Sequence, residues 1–280
     1  MGRLDTEQIM AVALEQAGLS EVPADSAIYI PGSGLRRALF GIDVEVGELL
    51  FARDAGFDVV VAHHPIGGNP VARFAQVMWG MVDQMAEAGV AEPIARAAVA
   101  ARIRKRGRRR HVSNYNRVLD TARLIGLPLL NIHLPPDIVS RAFVQRWLTQ
   151  RVSEDSQVGD LLQALAEIPE VRGSLFQPEA WIGEPENPVG RYVVAMAGGT
   201  NGGFSVFKTY FDAGVSTIIA MHIDEDDLRQ LQQAAPAGAN LVIAGHMAMD
   251  SIGLNRLIDG LQERGLEVRR TSGIIAPDGR

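Results

Sequence analysis

The sequence predicts an α/β protein of two α/β halves, each with a parallel-rich sheet. A helical insertion lies between the halves, and a site lies in the cleft at the strands' C-terminal ends. Three observations carry this. Short aliphatic or β-branched runs alternate with helix-length segments, the rhythm of βαβ units. Two such blocks, one before about 150 and one after 191, are separated by Pro-, Gly- and Glu-rich chain at 174–188. Four of the six histidines stand where a predicted strand ends, which in open parallel sheets is the functional crevice.

Taken in order, Asp5 caps a first helix to about 19, with Ile9, Val12, Ala13 and Ala17 on one face. A turn-rich segment ends at Pro31-Gly-Ser-Gly34. A compact βαβ unit follows: strand 37–42, helix 43–55 stopped by Gly56, strand 58–62. That strand runs Val59-Val-Val-Ala62 into His63-His64-Pro65, and Pro65, lacking an N–H, ends the ladder. Residues 71–87 are helical by spacing (Val71, Phe74, Met78, Met81, Val82, Met85), the methionines reading as core or as a subunit interface. Pro93 opens another helix that runs into a basic knot at 102–110. A helix at 113–125 ends at Gly126, and a strand at 128–132 stops at His133-Leu-Pro-Pro-Asp137, where the two prolines predict an extended or turning loop. Helices follow at 138–151 and 156–167, the second capped by Ser156. The second half reads as strand 192–197, a Gly-rich turn 198–203 opening a helix to 213, strand 215–220, helix 224–234, strand 240–244, helix 248–264 and a closing strand 266–270. The domain reading is 1–65 with 128–150 for the first half, 66–127 for the helical insertion, 151–190 for a connecting helix and loop, and 191–280 for the second half. No sequence repeat is strong enough to claim duplication.

Composition narrows the chemistry. The 280 residues contain no cysteine, so disulfides, thiolate ligands and a thiol nucleophile are excluded. A metal would need histidine and carboxylate, which suits zinc, iron or manganese. The opening MGRLDTEQIM lacks a signal-peptide pattern and no apolar run is long enough to span a bilayer, so a cytoplasmic location and no membrane partner are expected. Net charge is −6, yet the knot Arg102-Ile-Arg-Lys-Arg-Gly-Arg-Arg-Arg110 holds seven cations in nine residues. The rest of the chain is therefore acidic, which argues against general duplex binding. The knot reads as a solvated helix end, or, if it lines the pocket, as an attractor of small anions such as nucleotides.

The candidate ligands are His63, His64, His133 and His246, with His222 also following a strand. Each alone reads as a hydrogen-bonded loop residue. The adjacent pair is harder to dismiss: neighbours leaving a strand point to opposite faces, so both flank one point only if the backbone turns or if two ions are bound. His246 and Asp250 are four apart on one helical face; His133 and Asp137 share that spacing, one as ligand and the other as its support. The turn 198–203 is neither a dinucleotide fingerprint nor a Walker loop and reads as tight helix–strand packing or as a phosphate cradle.

Three segments, Ala62-His63-His64-Pro65, His133-Leu-Pro-Pro-Asp137 and Gly245-His246-Met-Ala-Met-Asp250, resemble the GTP cyclohydrolase 1 type 2-like family, also called the Ngg-one-interacting-factor-three-like family. Gly41-Ile-Asp43 and the Gly-rich turn fit the same pattern. The resemblance covers roughly 36–65, 128–140 and 191–258. It implies a dinuclear metal centre on His63, His64, Asp137, His246 and Asp250, with the last carboxylate bridging two divalent ions, and a toroidal homohexamer. Two departures stand out. Asp250 replaces the family's glutamate and is one methylene shorter. The family's Thr-Gly-Asp-x-x-x-His segment reads Ala220-Met-His222-Ile-Asp-Glu-Asp226, leaving His222 and His133 as the acid/base candidates. Two functions follow: a metal-dependent hydrolase acting on a nucleotide or other small anion, GTP cyclohydrolase-like by resemblance, or a non-catalytic metal-binding scaffold, ion chaperone or protein-interaction factor.

Overall fold

The computed structural model describes residues 3–277. Asp5 caps α1 (Thr6–Ala17) in a full capping box with Gln8, and Gly18 closes the helix at φ +67. After β1 (Ala27–Ile30) comes the expected βαβ unit, β2 (Arg37–Gly41), α2 (Val46–Asp54) and β3 (Val59–Ala62). The insertion is α3 (Gly68–Arg73), a 3-10 turn over Phe74–Trp79, α4 (Gly80–Glu87) and α5 (Glu92–Arg110). Then come α6 (Arg117–Ile125), β4 (Leu129–Asn131) and α7 (Leu134–Thr149). After α8 (Val158–Ala166) and α9 (Pro169–Arg172), the second half runs β5 (Glu179–Ile182), β6 (Tyr192–Val194), α10 (Gly203–Asp212), β7 (Thr217–Ala220), α11 (Glu225–Ala234), β8 (Asn240–Ile243), α12 (His246–Glu263) and β9 (Glu267–Thr271). Among the described residues no helix is long and apolar enough to cross a membrane.

The two sheets share a topology that the sequence does not disclose. The first has the order β1-β4-β3-β2-β9 and the second β5-β8-β7-β6. In each, three parallel strands follow one another through helices, and an antiparallel strand that precedes them pairs with the last. Each half then sends a helix from that last strand: α7 after β4, α12 after β8. Strands β3, β7 and β8 are buried along their whole length because helices cover both faces.

Helix α12 joins the two cores. Its first turns (Ala248, Met249, Ile252) pack under the second sheet with Val144 and Leu148 of α7, and its later turns (Leu257, Ile258, Leu261) pack under the first sheet with α1. The α7–α12 crossing is close: a Cβ on Gly253 would lie 2.0 Å from the Pro136 carbonyl oxygen. Ser140 locks this crossing, its hydroxyl donating to Met249 O at 2.6 Å and accepting from Gly253 N at 2.8 Å.

Several elements differ from expectation. β1 lies inside the turn-rich segment; four residues give too short a pattern to stand out beside Pro and Gly. The closing strand β9 pairs with β2 in the first sheet, so the chain returns to the half it began in. Pro135 and Pro136 sit in the first turn of α7, where a missing N–H leaves no intrahelical bond unmade, so His133 to Asp137 is a helix start and not a loop. Ser156 does not cap α8; Gln157 does, in a box with Asp160. α6 packs on the first sheet with α2, and only the helices before it lie against the second. The methionine stretch is core: Met78, Met81 and Met85 are buried with Phe207, Tyr210 and Ile218.

Candidate metal centre

The ladder between β2 and β3 runs past their ends. His63 N donates to Gly41 O at 2.9 Å and His64 N to Ile42 O at 3.0 Å, before Pro65 stops it. The backbone bends at both residues, so the two imidazoles turn toward one point, their ring centroids 5.2 Å apart, with His63 fully buried and His64 at the cleft wall. The remaining ligand candidates come from the two helix starts. His133 precedes α7 and His246 begins α12, and each helix carries its aspartate four residues on. These are equivalent places in the two halves. Because α7 and α12 cross at Gly253, Asp137 and Asp250 are brought to one point. A carboxylate in the first turns of a helix is also favoured there as an anion.

Each of three imidazoles has its Nδ1 occupied from behind. His63 Nδ1 donates to Ile132 O at 3.0 Å, His64 Nδ1 to Asp43 Oδ1 at 2.7 Å, and His133 Nδ1 to Asp25 Oδ2 at 2.7 Å. In the neutral rings the lone pair is then on Nε2, which faces the cluster, as metal-ligating histidines require. Asp250 Oδ2 lies 3.3 Å from His64 Nε2, 3.3 Å from His246 Nε2 and 3.7 Å from His63 Nε2. Asp137 Oδ1 lies 3.3 Å from His63 Nε2.

Among the described residues, four buried side-chain polar atoms have no hydrogen-bond partner, and three of them are here: His63 Nε2, Asp137 Oδ1 and Asp250 Oδ2. Such atoms are costly unless something satisfies them. They face a common space and do not bond each other. Two triads, His63–Asp137–Asp250 and His64–His246–Asp250, each offer ligand atoms within 4.8 Å of one another, and they share Asp250; His63, His64 and His133 form a third. The cluster can hold a metal ion, and the donor set fits borderline divalent ions.

Without an ion, protons occupy these positions. Burial opposes charge on His63, but the Asp250 and Asp137 carboxylates outweigh it and hold its pKa well above the ordinary value. His64 is likewise pushed up to about 8, burial being outweighed by Asp250 and Asp43. Burial works against the Asp250 carboxylate too, yet His63, His64 and His246 keep it ionised far below the usual range. His246 is lowered, by burial first, with the His64 charge adding to it.

The cluster opens into a cleft of about 360 Å³ between the sheet ends and α5. Beside the cluster, its ring 4.6 Å from that of His246, stands His222, which burial and His246 lower to about 4, so it is neutral at physiological pH. Its tautomer is set by a chain of bonds. Arg102 donates to Asn201 Oδ1 at 2.5 Å, so the Asn201 amide nitrogen points at His222 Nδ1, 3.0 Å away. Nδ1 accepts, and the ring proton is on Nε2. The basic knot is not merely a solvated helix end: Arg102 is buried, and Arg106 and Arg110 line the cleft. The Gly-rich turn is held by packing, since a Cβ on Gly198 would meet Met81 at 2.6 Å and one on Gly199 would meet Val77 at 2.5 Å.

All seven sequence-predicted site residues gather at this cleft: His63, His64, His133, Asp137, His222, His246 and Asp250. Sequence reasoning passed over Asp25, Asp43 and Asn201 as site residues; Arg106 and Arg110 belong to the basic knot, which it offered as a solvated helix end or as a lining of the pocket. Asp43 follows β2 closely, so the strand-end argument could have found it; Asp25 lies in irregular chain that carries no signal.

The fold and the cluster define a class: a two-sheet α/β protein with a His/Asp-lined cleft able to hold a metal ion. A NIF3 superfamily protein from Sphaerobacter thermophilus is 37% identical over 98% of this chain and 100% of its own, at a TM-score of 0.94. The chain belongs to the NIF3 superfamily, as the three motifs imply. Reduced HcgD from Methanocaldococcus jannaschii (10% identity, 96% and 98% coverage, TM-score 0.58) shares the fold. So does a Bacillus cereus protein related to NIF3 (9%, 96% and 96%, 0.51). No protein-family model and no curated protein matches the chain.

Proposed function

We propose that this protein is a metal-dependent hydrolase with a dinuclear centre, acting on a small anionic substrate of the nucleotide class. The observation that carries it is the set of three buried, unpartnered atoms of the triad His63–Asp137–Asp250, with Asp250 common to a second triad, His64–His246–Asp250. His63 and Asp137 would hold one ion, His64 and His246 the other, with Asp250 between them. Asp250 is short, but its Oδ2 already stands within 3.7 Å of all three imidazoles. Divalent ions there would lower the pKa of a water and polarise a carbonyl or phosphoryl oxygen. Zinc, iron and manganese all suit the donors.

The protein's own groups supply the proton steps. His133 has its Nδ1–H held by Asp25 and presents a basic Nε2, so it is placed to accept a proton. His222, neutral with its proton on Nε2, is placed to donate a hydrogen bond to a substrate oxygen. The GTP cyclohydrolase-like activity and the hexameric assembly are carried by the family resemblance and belong to the same proposal, as does a cytoplasmic setting, for which the absence of a membrane-spanning helix among the described residues leaves room. The test is turnover across a panel of nucleotides and phosphoesters with metal-loaded protein. Metal-dependent hydrolysis that is lost in His64→Ala is expected. No turnover on any member, with metal bound, would replace the hydrolase reading by that of a non-catalytic metal-binding scaffold.

A further inference from the structure

The wall of the cleft facing the His/Asp cluster is built by α5 and carries more positive charge than its partners neutralise. Arg102 bonds Asp227 at 2.6 Å and Asp224 at 3.1 Å; Lys105 bonds Asp227 at 3.1 Å; Arg106 bonds Asp224 at 3.1 Å. Among the described residues, three cations thus meet two carboxylates. Arg110, one turn beyond Arg106, has no carboxylate within ion-pair distance among the described residues and lies over the Phe74 ring at 5.1 Å. Both Arg106 and Arg110 line the cleft. The fourth buried atom without a partner in the described structure is Arg106 Nε. An arginine donor left unsatisfied beside a cleft suits an oxyanion, since the guanidinium presents several N–H groups in one plane.

We propose that Arg106 and Arg110 form an anion subsite that takes the phosphate of the substrate while its reacting bond lies at the His/Asp cluster. The position of the reacting bond rests on the hydrolase reading; the anion subsite does not. Arg106 is half-buried, which strips water from its guanidinium, so an oxyanion met there is attracted more strongly than at an exposed arginine; Arg110, exposed at the helix end, adds a second charge. The cleft's carboxylates do not cancel this. Asp137 and Asp250 face the imidazoles, Asp43 is bonded to His64, and Asp224 is already shared by two arginines. Arg102 is a positioning residue. Buried against Asn201 and Asp227, it ties α5 to the turn after β6 and so fixes where Arg106 and Arg110 stand. The cleft volume limits the ligand to a small molecule.

The experiment is calorimetric titration of inorganic phosphate into the full chain after EDTA treatment, for wild type, Arg106→Gln, Arg110→Gln and Arg110→Lys. Arg110 stands at the end of α5, outside the core, so its variants keep the fold, and circular dichroism checks each. Saturable phosphate binding is expected in the wild type. Each Gln variant should weaken it by about tenfold or more, the loss of one charge-assisted contact. Arg110→Lys, which keeps the charge but not the planar donors, should lose less affinity than Arg110→Gln, and metal content after separate reconstitution with zinc should be the same in all four proteins. Absence of phosphate binding in the wild type, or undiminished binding in both Gln variants, would overturn the subsite. Arginine-dependent phosphate binding in a protein that turns nothing over supports the subsite and counts against the hydrolase reading alone.

Discussion

Asp250→Asn removes the charge around which the cluster is organised, and the structure says what should follow in metal-free protein. Asp250 is the group through which His63 and His64 keep their protons, and it is only 1% exposed. With His64 at about 8 in the folded state against an ordinary 6.5, linkage stabilises the fold by up to about 2 kcal/mol from this residue. The sign follows from the raised value: the contribution is complete below pH 6.5 and is lost as pH rises through about 8. His63 acts in the same direction. Asp250 itself is depressed, so its contribution is present above the ordinary carboxylate range and lost only on strong acidification. The window from pH 6.5 to 8 therefore reports the histidines. EDTA-treated wild type should lose roughly 4 °C in Tm between about pH 6 and 9 through this coupling, and Asp250→Asn should lose much less. Thermal unfolding by circular dichroism at several pH values measures both. Identical pH profiles for the two proteins would refute the His–Asp coupling.

Metal binding should invert that dependence: the ion needs unprotonated Nε2 atoms, so loading at about pH 7 releases protons and strengthens as pH rises to about 8, which titration calorimetry in buffers of different ionisation enthalpy will read. Gly253→Ala places a Cβ 2.0 Å from the Pro136 carbonyl oxygen, so α7 must shift; a loss of about 1–3 kcal/mol by denaturant unfolding is expected, with reduced metal content because Asp137 rides on α7. His222 should remain the neutral Nε2–H tautomer at about pH 6, visible in its ring nitrogen shifts, and Asn201→Ala should release that preference. An unchanged tautomer in Asn201→Ala would show that Asn201 does not orient the ring.

What was legible in the sequence is what local pattern controls. Strands such as Val59–Ala62 and Asn240–Ile243, the caps at Asp5 and Gly126, and the histidines at strand ends follow from residue type and spacing. The same is true of the pairing of His246 with Asp250, since four residues on a helix share a face. The duplicated topology was not legible, because parallel sheets constrain only apolar character and many sequences satisfy that. Nor was the place of β9: Phe40 of β2 pairs with Arg270 across most of the length of the chain, and such a pairing is set by tertiary packing, not by local pattern. Asp25 and Asn201 escaped because their roles exist only across long separations, to His133 and to Arg102 and His222. Pro135 and Pro136 misled for a definable reason: the rule against helix after proline does not hold in the first turn.

The central claim is that the cluster holds two divalent ions, and metal content tests it most directly. Full-length protein, reconstituted with zinc or manganese and desalted, should carry about two equivalents per chain by elemental analysis, with anomalous scattering peaks beside His63 and beside His64. His63→Ala and His246→Ala should each lose metal. Less than about half an equivalent in the wild type, or a content that neither substitution lowers, would contradict the account.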